Sequence, residues 1–591
     1  MKSVKVSRWD LSELVNDPKD IDYKIKNIEK RIEEIEGKKG LLKNDITIEE
    51  FKSIINLVEE IYEELVKINA YAHLSHAADL RSNEIIALVN RIDRFSADIN
   101  NRLLFFDLWF KKNLDDENAM RLINGIDNMY KDYLKHKRLV AKYSLNEREE
   151  MIMNMLDVTG YIALIKLYDR ITDTFEFVVE IKKDKKVKRK VFKNKEELLR
   201  LVRSIDARER EGAYKALLKV YEKNYQVLGD IYNNIAIKWN DEFIKLRGYK
   251  TPISVRNIAN NISDEVIDTL LHVCKNNAYI FQEYFKTKAK LLDMKRLRRY
   301  DIYAPLKFSK KFTYQDGVKL VLEAFGDFDD RFKRYAEMIF KTHVDYEIRE
   351  GKRSGAFCYS TTPKLLPYVL LNFDGTSRSI STIAHEFGHA MHSILSSDKS
   401  ILVHSPPLPL AETASVFAEM LLNDRLEKIV SKKDKIALIV EEIDDMYATV
   451  MRQAYFTLFE IEAHKSIINN STIDDVSDIY YNNLKDQFGS SILLTKEFRY
   501  EWLYIPHFYH TPFYCYAYSF GNLLSLSLYN EYKLDNKGFK ERYFAILNTG
   551  GSRKSEDLLL EHGFDISKSE FWNNGFSIIN EKINELKSLV Y

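Results

Sequence analysis

Apolar residues recur at steps of three and four through most of the chain, the period of helices with one buried face. Between about Ile21 and Asn260, Ile25, Ile28, Ile32 and Ile35 form such a stripe, and similar stripes follow Ile48 and Leu88. The pattern predicts a layer of helices. One interruption stands out: the apolar, β-branched run Phe175–Ile181 meets a charged tip at Lys182–Lys186, and Val187, Val191 and Phe192 follow. This reads as a β-hairpin. Its basic tip raises the question of an anion site, but runs of charge mostly form wetted faces, so a solvated turn is the simpler reading. Tyr249–Ile253, containing Pro252, breaks the helical run, and helices resume over Val266–Leu292. From Ser354 to Gly375 the character turns strand-like, most clearly in Tyr368–Phe373, bounded by Pro367 and by Asp374 and Gly375. The loop Ser405–Pro409, with three prolines, then leads into helices broken near Pro506 and Pro512. No internal repeat is visible. The predicted fold class is mainly α with one small β-sheet.

Composition sharpens this. At 591 residues the chain exceeds a single core, so two or more packed units are expected. Only 20 Gly and 10 Pro interrupt it, which favours long helices and short loops. Aromatic residues reach 13%, with 36 Tyr, and tyrosine suits the wall of a cavity that must hold water and peptide as well as pack. Lys and Arg number 90 against 89 for Asp and Glu, so no net field favours nucleic acid or an anionic membrane. Cys274, Cys358 and Cys515 are odd in number and far apart, which fits neither a disulfide framework nor a cysteine zinc knuckle. A reducing cytoplasm is therefore expected. Met1–Asp10 lacks the apolar core of a signal peptide, and no 18-residue apolar run is evident, so neither export nor membrane insertion is expected.

The chemistry concentrates in Ser381–Leu395, STIAHEFGHAMHSIL. Ile383, Ala384, Phe387, Met391 and Ile394 mark an apolar stripe, and Ser381 or Thr382 can cap the helix start. His385 and His389 then share the other face, where imidazoles at i and i+4 converge on one tetrahedral ion. Glu386 projects beside them toward an ion-bound water. A catalytic zinc needs a third protein ligand and one open position. A histidine six residues after His389 would supply it in one class, but that position is Leu395. His392 lies nearly two turns from His385, a better place for an indirect contact than for ligation. A later carboxylate fits better: Glu412 follows His389 by 412 − 389 = 23 residues, enough for the proline loop to reverse the chain. Glu412 and Glu419 are seven apart and share a helix face, so one can bind metal while the other orients a ligand histidine.

These segments resemble the oligoendopeptidase F branch of the thimet-type oligopeptidases. The resemblance runs through HEFGHAMH, LAETASVFAEM, SGAFCYS and PYVLLNFDG, and extends to RWDLSEL near the N-terminus, YDIYAPL at Tyr300–Leu306, GKRSGAF at Gly351–Phe357 and IPHFYHTPFYCYAYSFG near the C-terminus. It implies a mostly helical, two-lobed molecule with a deep substrate channel: an N-terminal helical lobe over residues 1–195, including the hairpin near 175–192, and a metallopeptidase domain over 196–591. The sheet would lie beside the motif helix. One zinc per chain would be bound by His385, His389 and Glu412, with Glu386 as base. The family also places a histidine and tyrosines opposite the zinc to stabilise the tetrahedral intermediate. His507 aligns with the histidine; Tyr514, Tyr516 and Tyr518 compete for the other roles beside His510. His507 and Tyr516 are the first choice, Tyr518 the next, and Tyr514 is assigned to the wall that touches substrate.

The expected activity is hydrolysis of internal bonds in short peptides, with Glu386 taking a proton from water and passing it to the leaving amine. Gly355 and Ala356 offer unencumbered backbone against which a peptide can pair as an added strand. Cobalt or manganese can replace zinc on such a ligand set. Two other readings stand beside this one: a carboxypeptidase using the same motif, and a helical scaffold in which the motif is only a packed helix. Nothing in the pattern fixes an oligomeric state.

Overall fold

The computed structural model describes residues 8–183, 186–308 and 310–590. The N-terminal seven residues and, at the hairpin's basic tip, Asp184 and Lys185 lie outside the described residues. The chain forms two compact units, each assembled from three separate stretches. The first comprises Met1–Lys142, Lys310–Ile429 and Glu531–Phe564; the second comprises Tyr143–Ser309, Val430–Asn530 and Asp565–Tyr591.

In the first unit, the stripe read from the sequence is the buried face of helix Asp20–Gly37. Ile28, Ile32 and Ile35 are at most 1% exposed, whereas Ile25 is only partly buried against them. Each fully buried isoleucine contributes roughly 2 kcal/mol of apolar burial. Helix Ile48–Ala78 opens with a capping box in which Thr47 and Glu50 satisfy each other's backbone N–H, and it adds Phe51, Ile54, Ile61 and Leu65 to the same core. Helix Asn83–Leu108 closes that core with Ile92, Ile99 and Leu103.

The small sheet also belongs to this unit. Tyr368–Leu370 is its buried central strand, parallel to Val344–Asp345 and antiparallel to Phe357–Tyr359. The strand is shorter than the sequence pattern suggested. Lys352 binds Asp345 at 2.7 Å and Arg349 binds the same carboxylate at 2.6 Å, fixing the turn that leads to Phe357–Tyr359. That last strand is an edge of the sheet.

The second unit contains the anticipated hairpin, Phe177–Lys183 paired antiparallel with Lys186–Phe192. Its core is aromatic: Tyr232, Phe459, Trp502, Phe508 and Tyr509 form a continuous set of ring contacts. Helix Arg452–Ile468 supplies Phe459 and a fully buried carboxyl, Glu460, whose Oε1 accepts the Phe513 N–H at 2.9 Å. Phe513 sits at φ +58°, a left-handed conformation that costs a non-glycine residue about 1 kcal/mol or more. The buried hydrogen bond offsets that cost.

Arg148–Asp173 is long and apolar enough, by length and composition only, to cross a bilayer. It consists of two helices, Glu147–Thr159 and Tyr161–Asp173, broken at Gly160, and Asp157 within it pairs with Lys238 at 3.0 Å.

Candidate metal centre

The motif helix spans Ser377–Leu395 and starts earlier than its sequence suggested. Thr376, not Ser381 or Thr382, is the cap: its hydroxyl accepts the Ser379 N–H, and Asp374 accepts from the Thr376 backbone and hydroxyl in turn. Ile380, Ile383, Ala384, Phe387, Ala390 and Met391 are fully buried, and Phe387 stacks on Phe340 at 4.1 Å. This apolar face locks the helix in rotation, so His385 and His389 emerge together on the other side.

Helix Thr413–Ile429 lies against the motif helix, and glycine makes the close approach possible. A Cβ built on Gly388 would stand 2.4 Å from the Ala414 carbonyl oxygen and 2.5 Å from the Ser415 Cα. Contact this tight brings both glutamates within reach of the histidines. The His385 Nδ1–H donates to Glu419 Oε1 at 2.6 Å, which turns Nε2 toward His389 and Glu412. His389 is hydrogen-bonded to the Ala411 carbonyl. The Ser415 hydroxyl holds Glu412 Oε2 at 2.6 Å.

The three candidate ligand atoms form a nearly equilateral triangle. His385 Nε2 and His389 Nε2 are 3.2 Å apart, and Glu412 Oε2 is 3.6 Å from each. Tetrahedral zinc with ligands at about 2.0–2.2 Å has ligand–ligand edges of roughly 3.3–3.6 Å. The donor set therefore fits one such ion. Among the described residues this is the group of histidine, cysteine and acidic side chains close enough together to hold a metal.

The local electrostatics also suit a cation. Burial alone would depress His385, but the bond to Glu419 and the charges of Glu419, Glu412 and Glu386 raise its proton affinity well above the ordinary value. Burial and the neighbouring His385 push His389 down. A metal ion bound there would displace the proton from His385. Glu386, 7% exposed, is pushed up to about 7 by burial, and the Cys358 backbone N–H binds its carboxylate. Cys358 lies on the edge strand, so the sheet meets the motif helix at the candidate base. Just before that strand, Gly355 adopts φ +81° with open space around its Cβ position, and its carbonyl accepts from Asn372 at 2.7 Å. Ala356 follows, half-buried. His392 is not in the triangle: it is buried, neither ring nitrogen has a hydrogen-bond partner among the described residues, and burial pushes it down to about 3.

The remaining candidates belong to the second unit. His507 opens the short helix His507–His510. Its Nε2 is 3.3 Å from the Tyr518 hydroxyl, and the Tyr514 ring lies near both, 6.1 Å from His507 and 5.3 Å from Tyr518 between centroids. Tyr516 is not with them. It is fully buried, and its hydroxyl accepts from Asn260 Nδ2 at 2.7 Å. The reason is the backbone: a helix starts at Tyr516, so Tyr516 and Tyr518 stand about 200° apart around its axis and face different sides, and the Tyr514 ring, just before the helix, packs against Tyr518. His510 pairs with Asp169 at 2.8 Å.

Sequence reasoning missed Gly388, Ser415, Asn260 and the Cys358 amide. Ser415 stands three residues after Glu412, one helical turn, a spacing that could have marked it. A backbone amide carries no side-chain signal.

Comparison with known proteins places this geometry in context. The sequence matches Peptidase family M3 over residues 200–578. It is 28% identical over 592 residues to an oligoendopeptidase F homolog of Borreliella burgdorferi, covering 98% of both chains. It is 24% identical to the chromosomal oligoendopeptidase F of Lactococcus lactis subsp. cremoris, covering 98% of this chain and 97% of that one. A crystal structure of a proposed peptidase from Chlamydophila abortus superposes with a TM-score of 0.88 at 25% identity, over 99% of this chain and 98% of that chain. The oligoendopeptidase-F structure from Enterococcus faecium shares the fold, with a TM-score of 0.69 at 20% identity over 97% of this chain and 99% of that one.

Proposed function

The chain belongs to peptidase family M3 and is a metalloendopeptidase; on that premise we propose that it uses one zinc ion to hydrolyse internal bonds of short oligopeptides, with Glu386 as general base. The observation that carries the reading is the ligand triangle of His385, His389 and Glu412 with the buried Glu386 carboxyl beside it. Held there, zinc supplies Lewis acidity toward a water molecule and the scissile carbonyl.

This chain's own residues do the rest. Glu386 accepts a proton on its carboxylate and returns it to the departing amine. Burial raises its affinity for that proton, and the Cys358 N–H keeps the carboxylate oriented. Glu419 keeps Nε2 of His385 turned toward the ligand position. His507 and Tyr518 are assigned as donors to the oxygen that gains charge in the transition state, and Tyr514 as a substrate contact. Tyr518 takes precedence over Tyr516 because the Tyr516 hydroxyl is already committed to Asn260. Peptide substrate pairs with the edge strand Phe357–Tyr359, entering past Gly355 and Ala356.

We assign residues 1–195 to an N-terminal helical part and 196–591 to the catalytic part; the family match beginning at residue 200 supports that boundary. Unpaired Cys274, Cys358 and Cys515 support a reducing, cytoplasmic location.

Glu386→Gln tests the mechanism. It should keep metal and fold but lose turnover by about 10²–10⁴-fold. A variant with near-full activity removes Glu386 from the reaction.

A further inference from the structure

The turn before the edge strand, residues 349–353, carries three cations, and two of them share one acid. Arg349 and Lys352 bind Asp345 at 2.6 and 2.7 Å. Glu350, the acid within the turn, is taken by Arg81 at 2.6 Å. Arg353 is left over: its side chain is exposed, and its guanidinium has no acidic or hydrogen-bonding partner among the described residues. Its backbone is nevertheless fixed at both ends. The N–H donates to the Ala77 carbonyl at 2.9 Å, and the carbonyl accepts from Asn372 Nδ2 at 3.0 Å, the same amide that holds Gly355. The guanidinium lies 5.5 Å from the centre of the half-buried Phe357 ring, which packs in turn against Trp9 at 6.2 Å. A planar fork suited to two carboxylate oxygens thus stands uncommitted beside the edge strand.

The register of the sheet determines what would meet it. Val369 and Leu371 donate their N–H groups to the His343 and Asp345 carbonyls, each at 2.8 Å. Tyr368 and Leu370 therefore turn theirs the other way, toward their partners Tyr359 and Phe357. Phe357 and Tyr359 direct their backbone groups into the sheet, and Cys358 between them directs its own to the open edge, where its N–H binds Glu386. An extended peptide laid along that edge stands opposite Phe357 as a non-hydrogen-bonded pair, the closer kind, with Cα atoms about 4.5 Å apart and both side chains on one face. That face carries the guanidinium. In the antiparallel arrangement, the more stable one, the peptide residue opposite Phe357 follows the one opposite Cys358, just past the bond presented to Glu386. All of these residues belong to the first unit, with the metal triangle.

We infer that Arg353 binds a carboxylate carried by the substrate on the C-terminal side of the cut, at the chain end or on an acidic side chain. This rests on the peptidase reading above. It adds a charge preference to a site that otherwise reads main chain.

The test follows cleavage of three N-terminally blocked peptides by chromatography on the unaltered zinc-loaded protein, with the cut mapped by mass spectrometry. One is neutral and ends in an amide; the second has glutamate at the first position after the cut; the third stops two residues after the cut as a free acid. At least one carboxylate peptide should show a KM below that of the neutral peptide by on the order of tenfold to a hundredfold, with kcat little changed. A gain confined to the free acid assigns the chain end, and a gain confined to glutamate assigns the side chain. Arg353→Gln should bring the KM values together, and Arg353→Lys should recover part of the difference. Equal KM for all three in the unaltered protein would overturn the inference and leave the peptidase reading intact. So would a difference that persists in Arg353→Gln, or a loss in that variant that falls equally on all three peptides, the mark of a structural role. Cleavage of none would remove the peptidase reading itself, and this inference with it.

Discussion

Gly388→Ala adds one methyl group at the tightest contact beneath the ligand triangle. The new Cβ would lie 2.4 Å from Ala414 O, 2.5 Å from Ser415 Cα and 2.7 Å from Ala414 C, where ordinary contact begins near 3.4 Å. These are backbone atoms and cannot rotate aside, so helix Thr413–Ile429 must retreat by about 1 Å. Glu412 and Glu419 flank the contact. A retreat of that size stretches the 3.6 Å edges from Glu412 to the two imidazoles toward about 4.6 Å, beyond the roughly 3.3–3.6 Å that tetrahedral zinc spans. It also breaks the 2.6 Å bond between His385 and Glu419. Overpacking costs about 1–3 kcal/mol, and the better helix propensity of alanine returns up to about 1 kcal/mol, so the protein should still fold. Metal affinity should fall at least 10- to 100-fold. Competition against chelators of graded affinity measures it, with a thermal melt to verify folding. Gly37→Ala, where an added Cβ meets nothing within 4 Å, serves as the control. If Gly388→Ala binds zinc within about twofold of the unaltered protein, close helix approach is not what builds the site.

Two further outcomes are expected. Tyr518→Phe should lower kcat by about 10–100-fold with little change in KM, whereas Tyr516→Phe should spare kcat and destabilise the fold by about 1–3 kcal/mol, because the Asn260 amide loses its buried acceptor; the reverse pattern contradicts the assignment. Burial raises Glu460 from an ordinary value of 4.5 to about 8, so between these values the unfolded chain releases a proton that the folded chain keeps. The stability contributed is complete below about pH 4.5 and is lost as pH rises through about 8. Glu460→Gln should flatten the decline in denaturation midpoint between pH 5 and 8, and an unchanged slope places the titration elsewhere.

The metal triangle was legible in the sequence because its parts are local. A four-residue histidine spacing is a helix property, and the 23 residues from His389 to Glu412 leave room for one reversal. The tyrosines were harder. Tyr514, Tyr516 and Tyr518 alternate in sequence, but which of them face the same way depends on where the helix begins, and it begins at Tyr516. The motif helix extends back to Thr376 because Asp374 and Thr376 form a cap that apolar periodicity does not encode. Gly388 became interpretable only once a second helix lay against it. The three-part composition of each unit rests on contacts between residues hundreds of positions apart, which no local pattern records.

The most direct test of the central claim is elemental analysis of the purified protein alongside cleavage of an internally quenched peptide blocked at both ends, with and without chelator. One zinc per chain and internal cleavage abolished by chelator is the predicted result. Stoichiometric zinc without internal cleavage, or internal cleavage that survives complete metal removal, would contradict it.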